Sequence, residues 1–211
     1  MSKTHFHAHV AQNDAELKAA YQLRLNVFQL EQGYNEEHEF DTLDTIAAPF
    51  VLLDAQNAVQ GVLRLLPYPL PIAADDFLPS DVVDKEILVG GGRTVLEMAE
   101  AFAAMQQVRQ RTERGVILSG AKLGRLAISK QLRGQGCGSI LVRAAEAWLA
   151  AALVKAPAAE KAQHVEAVVQ LSSQVIAKAF YESLGYAPEG EVYLEEGQPH
   201  IRYTKRIQVR G

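Results

Sequence analysis

Several features that mark particular classes of protein are missing from this chain of 211 residues. Its single cysteine, Cys137, excludes an intramolecular disulfide and agrees with a reducing compartment. No segment reaches the roughly 20 apolar residues that a membrane-spanning helix needs. The amino terminus also lacks the apolar core of a targeting signal. The sequence therefore predicts a cytoplasmic protein without a membrane partner.

Clusters of positive charge and of metal ligands are absent as well. The net charge is −4, the isoelectric point is near 5.9, and no run of lysine or arginine occurs, so nucleic acid is not expected as a partner. The six histidines form no HExxH or similar pattern, and no metal site is predicted. The length and the 48% hydrophobic content fit one compact domain over residues 1–211.

Hydrophobic periodicity predicts alternating strands and helices. Residues 5–10 alternate as a strand does, and Asp14 then begins a helix with Leu17, Tyr21, Leu25 and Phe28 on one face. Residues 49–54 and 59–66 predict a β-hairpin. Later strands are expected at residues 122–129, 165–171, 191–194 and 200–207, with one helix carrying Leu141, Trp148 and Leu149 and another around Tyr181. This order favours a mixed α/β sheet covered on both faces.

A glycine-rich turn is the most informative local feature. The apolar run that ends near Ile128 leads to Gly134, Gly136 and Gly138, after which a helical pattern begins. The first N–H groups of a helix have no intrahelical acceptor, and the helix dipole favours negative charge there, so such a turn suits a phosphate. The spacing matches neither a Walker loop nor the first turn of a dinucleotide fold.

Two motifs identify the turn more closely. Arg133-x-x-Gly136-x-Gly138 resembles the pyrophosphate loop of the GCN5-related N-acetyltransferases (GNAT), where the anion is the diphosphate of coenzyme A. The pair Phe180-Tyr181, followed by Leu184-Gly185-Tyr186, resembles the late helix of the same family. Residues 27–33 and 195–207 are similar to a less characterised branch, so the resemblance covers most of the chain.

The resemblance implies a single-domain fold with a mixed, mostly antiparallel twisted sheet, helices on both faces and an inserted helix. It also implies an enzyme that transfers an acetyl group directly from acetyl-CoA to a primary amine, which we expect to belong to a small molecule. A non-catalytic CoA-binding sensor or interaction module and a peptide or protein N-acetyltransferase are the alternatives. The expected assembly is a monomer or a homodimer.

An insertion at about residues 67–121 departs from the compact family pattern. Its first part, with several prolines and three consecutive glycines at 90–92, predicts an irregular loop. In its second part Thr94 and Glu97 form a capping box, and Met98 and Phe102 recur at helical spacing, which predicts a helix from about Val95 to Arg114 ended by Gly115. We expect this helix to pack beside the sheet; a lid over the acceptor site and a dimer contact are alternatives.

The resemblance also assigns roles to individual residues. Tyr181 would donate a proton to the departing thiolate, and Gln174 and Lys178, predicted on the same helical face, would contact the pantetheine and the nucleotide. Cys137 is expected to be a small residue under the loop rather than a nucleophile. The groups expected to bind acetyl-CoA are the backbone of Leu126, Ala127 and Ile128 and the loop residues Arg133, Gly134, Gln135, Gly136, Cys137, Gly138 and Ser139.

The acceptor site is less defined by the sequence. Acidic residues follow the first helix, where this fold borders the acceptor pocket, and Glu31, Glu37 and Asp41 are candidates to attract a cationic amine or to accept its proton. A solvated loop is the alternative for each of them. His200 precedes an alternating strand and is either a residue of the cleft or a structural histidine.

Overall fold

The protein is described here by a computed structural model that covers residues 5–34, 39–70, 93–195 and 197–211. The strands are β1 (His7–Val10), β2 (Ala48–Leu53), β3 (Val59–Pro67), β4 (Val108–Arg111), β5 (Gly115–Ile128), β6 (His164–Gln174), β7 (Ala187–Glu195) and β8 (Gln198–Arg210). The α-helices are α1 (Asp14–Arg24), α2 (Val95–Ala104), α3 (Cys137–Leu153) and α4 (Lys178–Ser183). None of the helices in these ranges is long and apolar enough to cross a membrane.

The strands form one eight-stranded sheet in the order β1-β2-β3-β5-β6-β8-β7, with β4 added beside β5. Neighbouring strands run antiparallel except β5 and β6, which are parallel. A parallel pair needs a crossover, and α3 provides it between β5 and β6. The expectation of a mixed, mostly antiparallel sheet is confirmed.

Helices cover both faces of the sheet because side chains alternate along its strands. Phe50 and Leu52 of β2 belong to a large core with α2, α3 and α4, whereas Val51 and Leu53 pack with Leu17 of α1. We call these two sides the α3 face and the α1 face. The predicted covering of both faces is confirmed.

The first helix begins as its sequence predicts. Asn13 caps it, with its side-chain oxygen accepting a hydrogen bond from the backbone N–H of Glu16 at 2.9 Å. The chain then continues without a break as a π-helical segment over Leu25–Glu31. This extension carries Phe28 to the α1 face of the sheet and leads the chain towards its centre.

The inserted helix begins as predicted but ends earlier. Its capping box of Thr94 and Glu97 is present, yet α2 stops at Ala104, and Val108–Arg111 form strand β4 instead of further helical turns. The predicted helix to Arg114 is therefore wrong in its second half. The chain turns at 112–115 so that β4 and β5 form an antiparallel hairpin, and this pairing overrides helical propensity.

The packing of α2 matches the expectation for the insertion. The ring of Phe102 meets the ring of Trp148 on α3 edge to face, with centroids 5.1 Å apart. The side-chain oxygen of Gln106 then accepts a hydrogen bond from the N–H of Gly120 on β5 at 2.7 Å. This helix is thus part of the core on the α3 face. The loop predicted in the first part of the insertion lies largely outside the described residues, at 71–92.

Candidate active site

The centre of the sheet opens where its two parallel strands separate. The last pair that joins β5 to β6 in the described chain is Leu123 with Leu171. Beyond it, β5 stays paired with β3 as far as Ile128, and β6 stays paired with β8 as far as Gln174. The edges that the two strands turn towards each other thus have no strand partner among the residues that the structure describes. Such edges carry backbone donors and acceptors that an extended ligand can use.

A bulge in β5 arranges the side chains at this opening. Arg125 has a positive φ of 50°, and the register with β3 changes from Arg64 opposite Gly124 to Val62 opposite Ala127. Leu123 and Leu126 therefore both face the α3 side, although an unbroken strand would place them on opposite faces. The side chain of Arg125 is directed to the α1 face, where its Nε lies 3.3 Å from Glu39 Oε2.

A cavity of about 330 Å³ fills the opening and is lined from both faces of the sheet. The lining groups on the α3 face are Leu123, Leu126, Ser173, Ala177, Phe180 and Tyr181. Those on the α1 face are Phe28, Gln32, Tyr34, Glu39, Arg64, Leu66, Lys122, Gly124, Arg125, Ser172, Gln174, Glu195 and His200. The first set is mostly apolar and the second mostly polar or charged, so the cavity has two chemically different halves.

Tyr181 lies in the apolar half. Tyr181 is 6% exposed, and its ring lies within an aromatic cluster. Its ring centroid is 4.9 Å from that of Phe180 and 5.5 Å from that of Tyr203. Burial raises the pKa of Tyr181 to about 12, with a hydrogen bond to Ser173 opposing the rise. The hydroxyl is therefore protonated throughout the neutral range and is available as a proton donor at the wall of the cavity.

The glycine turn leads directly into α3. Gly134 and Gly136 have positive φ angles of 76° and 81°, and a Cβ at either position would meet no atom within 4 Å, so backbone conformation rather than space favours glycine there. Gly136 caps the helix, and its carbonyl accepts hydrogen bonds from the N–H groups of Ser139 and Ile140. Gly138 has a different role, because a Cβ there would lie 3.0 Å from Phe180 of α4.

The side chains of the turn make local contacts. Arg133 Nη1 lies 2.8 Å from Glu31 Oε2, and Arg133 Nε donates a hydrogen bond to the carbonyl of Ile128. Gln135 Nε2 donates to the carbonyl of Gln131. Cys137 is fully buried at the start of α3, and burial raises the pKa of its thiol, which disfavours the nucleophilic thiolate. Glu31 is thus a partner of the turn and does not line the cavity.

Gln174 and Lys178 do not share a helical face, so that prediction is wrong. Strand β6 continues to Gln174, a 3₁₀ turn follows at Val175–Ala177, and α4 begins only at Lys178. Gln174 lines the cavity from the α1 face, and its Nε2 donates to Tyr34 Oη at 2.5 Å. Lys178 is exposed, 3.8 Å from Glu182, and outside the lining. Ile176, within the 3₁₀ turn, is 89% exposed. Pairing with β8 extended the strand beyond the predicted boundary.

The acidic residues after α1 take part in a buried charge network. Asp41 accepts two hydrogen bonds from Arg64, at 2.7 and 3.0 Å, and it also caps a 3₁₀ turn at Thr42–Thr45. Asp44 pairs with both Arg24 and Arg64, and Glu39 pairs with Arg24. Asp41 does not line the cavity, whereas Glu39 does. Glu37 lies outside the described residues.

The network determines the charge state of its members. Burial alone would raise the pKa of the Asp44 carboxyl, but the adjacent Arg24 and Arg64 guanidinium groups outweigh it and hold that pKa well below its ordinary value. Arg24, Arg64 and Arg125 together balance Glu39, Asp41 and Asp44. The network is therefore charged at neutral pH and neutral in sum.

His200 lies on the α1 face opposite Gln174 and is 9% exposed. Its Nδ1 is 2.9 Å from the carbonyl of Gln198, and because a carbonyl only accepts, Nδ1 carries the proton in the neutral ring. Nε2 then holds a lone pair. The structure thus brings Tyr181, Gln174 and His200 to one cavity, and leaves Glu31, Asp41 and Lys178 outside it.

The sequence patterns did not identify the charged residues of the cavity, which are Lys122, Glu195 and the network members Glu39, Arg64 and Arg125. Lys122 is a charged residue within an otherwise apolar strand. The alternation of side chains along a strand shows that such a residue is unusual, but without the register it does not show which face of the sheet the residue lies on. Glu195 ends β7, where its Oε2 accepts hydrogen bonds from Ser172 Oγ at 2.9 Å and Tyr193 Oη at 3.2 Å. Both residues lie in the polar half.

Comparisons with known proteins agree with this architecture. Residues 85–188 match the family model of the acetyltransferase (GNAT) domain. The uncharacterised protein YyaT of Bacillus subtilis is 26% identical over 194 residues, 92% of this chain and 91% of YyaT. An acyl-CoA N-acyltransferase from Pseudomonas aeruginosa has a TM-score of 0.53 at 24% identity and covers 96% of this chain and 99% of its own. FeeM, an N-acyl amino acid synthase from uncultured soil microbes, has a TM-score of 0.56 at 16% identity, over 98% and 92% of the two chains. The two solved structures share the fold.

Proposed function

Because the chain belongs to the GNAT acetyltransferase family, we propose that it transfers an acetyl group from acetyl-CoA to a primary amine of a small molecule, within a ternary complex. The observation that carries the proposal is the cavity at the separation of β5 and β6. On one face of the sheet the cavity holds the buried, protonated hydroxyl of Tyr181. On the other face it holds His200, whose Nε2 carries a lone pair when the proton is on Nδ1. Proton donor and proton acceptor thus lie on opposite sides of one reaction space.

Two features of the chain fit a CoA thioester. The glycine turn over residues 134–139 presents the first N–H groups of α3, which suit a pyrophosphate. Within the described part of the chain, the edge of β5 at Leu126, Ala127 and Ile128 has no strand partner towards β6, and this edge suits the amides of an extended pantetheine arm. Lys178, exposed at the start of α4, is proposed as a contact for the nucleotide end. We place Gln174 with the acceptor, because its side chain is on the α1 face.

The proposed chemistry needs no covalent enzyme intermediate. The neutral amine attacks the thioester carbonyl carbon, a C–N bond forms, and the C–S bond breaks as the intermediate collapses. Tyr181 Oη gives its proton to the departing thiolate sulfur, while His200 Nε2 accepts the proton that the amine nitrogen loses. Holding both reactants in one cavity makes the step effectively unimolecular, which supplies much of the rate.

The test is an assay of CoA release with acetyl-CoA and longer acyl-CoA donors across small amines and peptide amino termini. Tyr181→Phe keeps the ring and removes the proton donor, so we expect kcat to fall by about 10²- to 10⁴-fold, the range of general acid catalysis. Tyr186→Phe is the matched control, because its hydroxyl donates to Glu146 outside the cavity. Equal turnover of Tyr181→Phe and the parent would remove the assigned role. Binding of CoA without turnover of any donor and acceptor would favour a sensor module instead.

A further inference from the structure

The charged groups on the α1 face of the cavity do not all neutralise one another. Arg64, Arg125 and Glu39 belong to the buried network, whose three guanidinium groups and three carboxylates cancel. Lys122 and Glu195 line the same half of the cavity and are not members of the network. The recognition chemistry of this half therefore depends mainly on these two residues.

Lys122 offers an ammonium group without a partner among the described residues. It lies on β5 between Leu66 of β3 and Gln170 of β6, and its side chain is partly buried. No hydrogen bond or ion pair joins its Nζ to any residue in the described ranges. Burial and the nearby arginines lower the pKa of its ammonium group, and the attraction of Glu195 and Asp41 offsets this only in part. Holding a partly desolvated cation in a cavity wall costs free energy unless an anion accompanies it. A bound ligand can bring that anion.

Glu195 offers the opposite charge in the same half of the cavity. Its Oε2 accepts hydrogen bonds from Ser172 and Tyr193, and both of those donors are neutral hydroxyls, which supply no counter-charge to a carboxylate. His200 lines the same half of the cavity and pairs with Tyr193, whose hydroxyl donates to Glu195; the ring centroids of His200 and Tyr193 are 6.3 Å apart. The polar half therefore presents one cation and one anion, together with a proton acceptor for an amine.

We propose that the acceptor is a small amino carboxylate, whose carboxylate binds Lys122 and whose amine lies between Glu195 and His200. This inference rests on the proposed transferase function and names its substrate class. A single ammonium matches the single charge of a carboxylate better than the double charge of a phosphate. A polyamine or an aminoglycoside fits poorly, since its second cation would approach Lys122.

The test compares acceptors that differ only in the anion. For each proteinogenic amino acid, the free acid, its carboxamide and the amine without the carboxyl group are assayed with acetyl-CoA, together with diamines and aminophosphonates. We expect the preferred free acid to exceed its carboxamide by about tenfold or more in kcat/KM, the effect of one charge-assisted contact. Equal use of acid and carboxamide, or preference for a diamine or an aminophosphonate, would overturn the inference.

Variants of Lys122 give the second arm. Lys122→Met should raise KM for the free acid by about ten- to hundredfold and leave KM for the carboxamide unchanged, with kcat largely retained. Lys122→Glu should shift preference towards diamines. Lys155→Met, which removes an exposed lysine after α3, is the matched control. An unchanged KM for the free acid in Lys122→Met would also overturn the inference.

Failure of the substrate class and failure of the function give different results. Transfer to amines irrespective of their carboxylate would contradict only the inference. Absence of acetyl-CoA binding by calorimetry would contradict the function as well. If acetyl-CoA binds without turnover, titration of the same amino acids into the protein decides the inference: binding that Lys122→Met weakens supports it, and no binding overturns it.

Discussion

At the scale of single residues, the cavity brings together side chains that lie far apart in the sequence. Tyr181 and His200 were selected from their local patterns and both line the cavity, whereas Lys122 and Glu195 were not selected. The reason is register. The direction of a strand residue depends on which neighbour it pairs with, and the bulge at Arg125 changes that direction within a single strand. Composition reveals the presence of a lysine but not the face on which it lies.

His200 gives the residue-scale prediction. Replacing it by glutamine removes the proton acceptor but keeps a polar side chain, so kcat at neutral pH should fall by about 10²- to 10⁴-fold. The loss should shrink as the pH rises, because hydroxide in solution can then accept the proton that the nitrogen loses after its attack. His164→Gln, at the exposed start of β6, is the control. A loss of the same size at every pH would indicate that His200 only supports the structure.

At the scale of secondary-structure elements, the starts of two helices were predictable from local sequence, whereas other element boundaries were not. Helix α1 begins at Asp14 and α2 at Val95 as predicted, because capping depends on side chains a few residues apart. The end of α2 was misplaced because Val108–Arg111 form a hairpin with β5, and the start of α4 was misplaced because β6 gains hydrogen bonds from β8, a strand distant in sequence. A single sequence carries no direct signal of those partners.

The turn before α3 gives the element-scale prediction. Gly136→Asn and Gly136→Asp place side chains of similar shape at the same positive φ, but only aspartate brings a negative charge to the helix N-terminus. We expect affinity for CoA, measured by calorimetry, to fall by about tenfold or more from the asparagine to the aspartate variant at low salt. Gly190→Asp is the control, since Gly190 also has a positive φ, of 82°, and open space around it. Matching affinities for the two Gly136 variants would place the phosphates elsewhere.

At the scale of the whole molecule, the buried charge network connects α1, the chain at 39–44 and β3 beneath the cavity. One of its carboxylates, Asp41, was a sequence-based candidate for binding the substrate, because the arginine that neutralises it, Arg64, lies on another element. Removing one member of a buried ion pair leaves its partners without a counter-charge, which is strongly destabilising. The network therefore stabilises the packing of α1, the chain at 39–44 and β3 next to the cavity.

Asp44→Asn tests this role. We expect it to lower the free energy of unfolding at pH 7 by about 3 kcal/mol, as measured by urea denaturation. The pKa of Asp44 in the folded state lies below its ordinary value near 3.8. The contribution of Asp44 to the free energy of unfolding is therefore complete above pH 3.8 and is lost progressively as the pH falls below 3.8. The difference between parent and variant should thus narrow from pH 5 towards pH 3. Glu113→Gln, in an exposed turn, is the control. If the free energies of unfolding of parent and variant differed by the same amount from pH 5 to pH 3, the ionised Asp44 carboxylate would not be the source of that difference.

The two-sided lining of the cavity has a consequence for the order of events. If the thioester is held on the α3 face and the amine enters from the α1 face, either substrate can bind first and either product can dissociate first. Steady-state kinetics with both concentrations varied should then give intersecting lines, and a dead-end analogue of either reactant should compete only with its own counterpart. The sheet itself keeps the two entry routes apart, and only the opening between β5 and β6 lets the reactants meet.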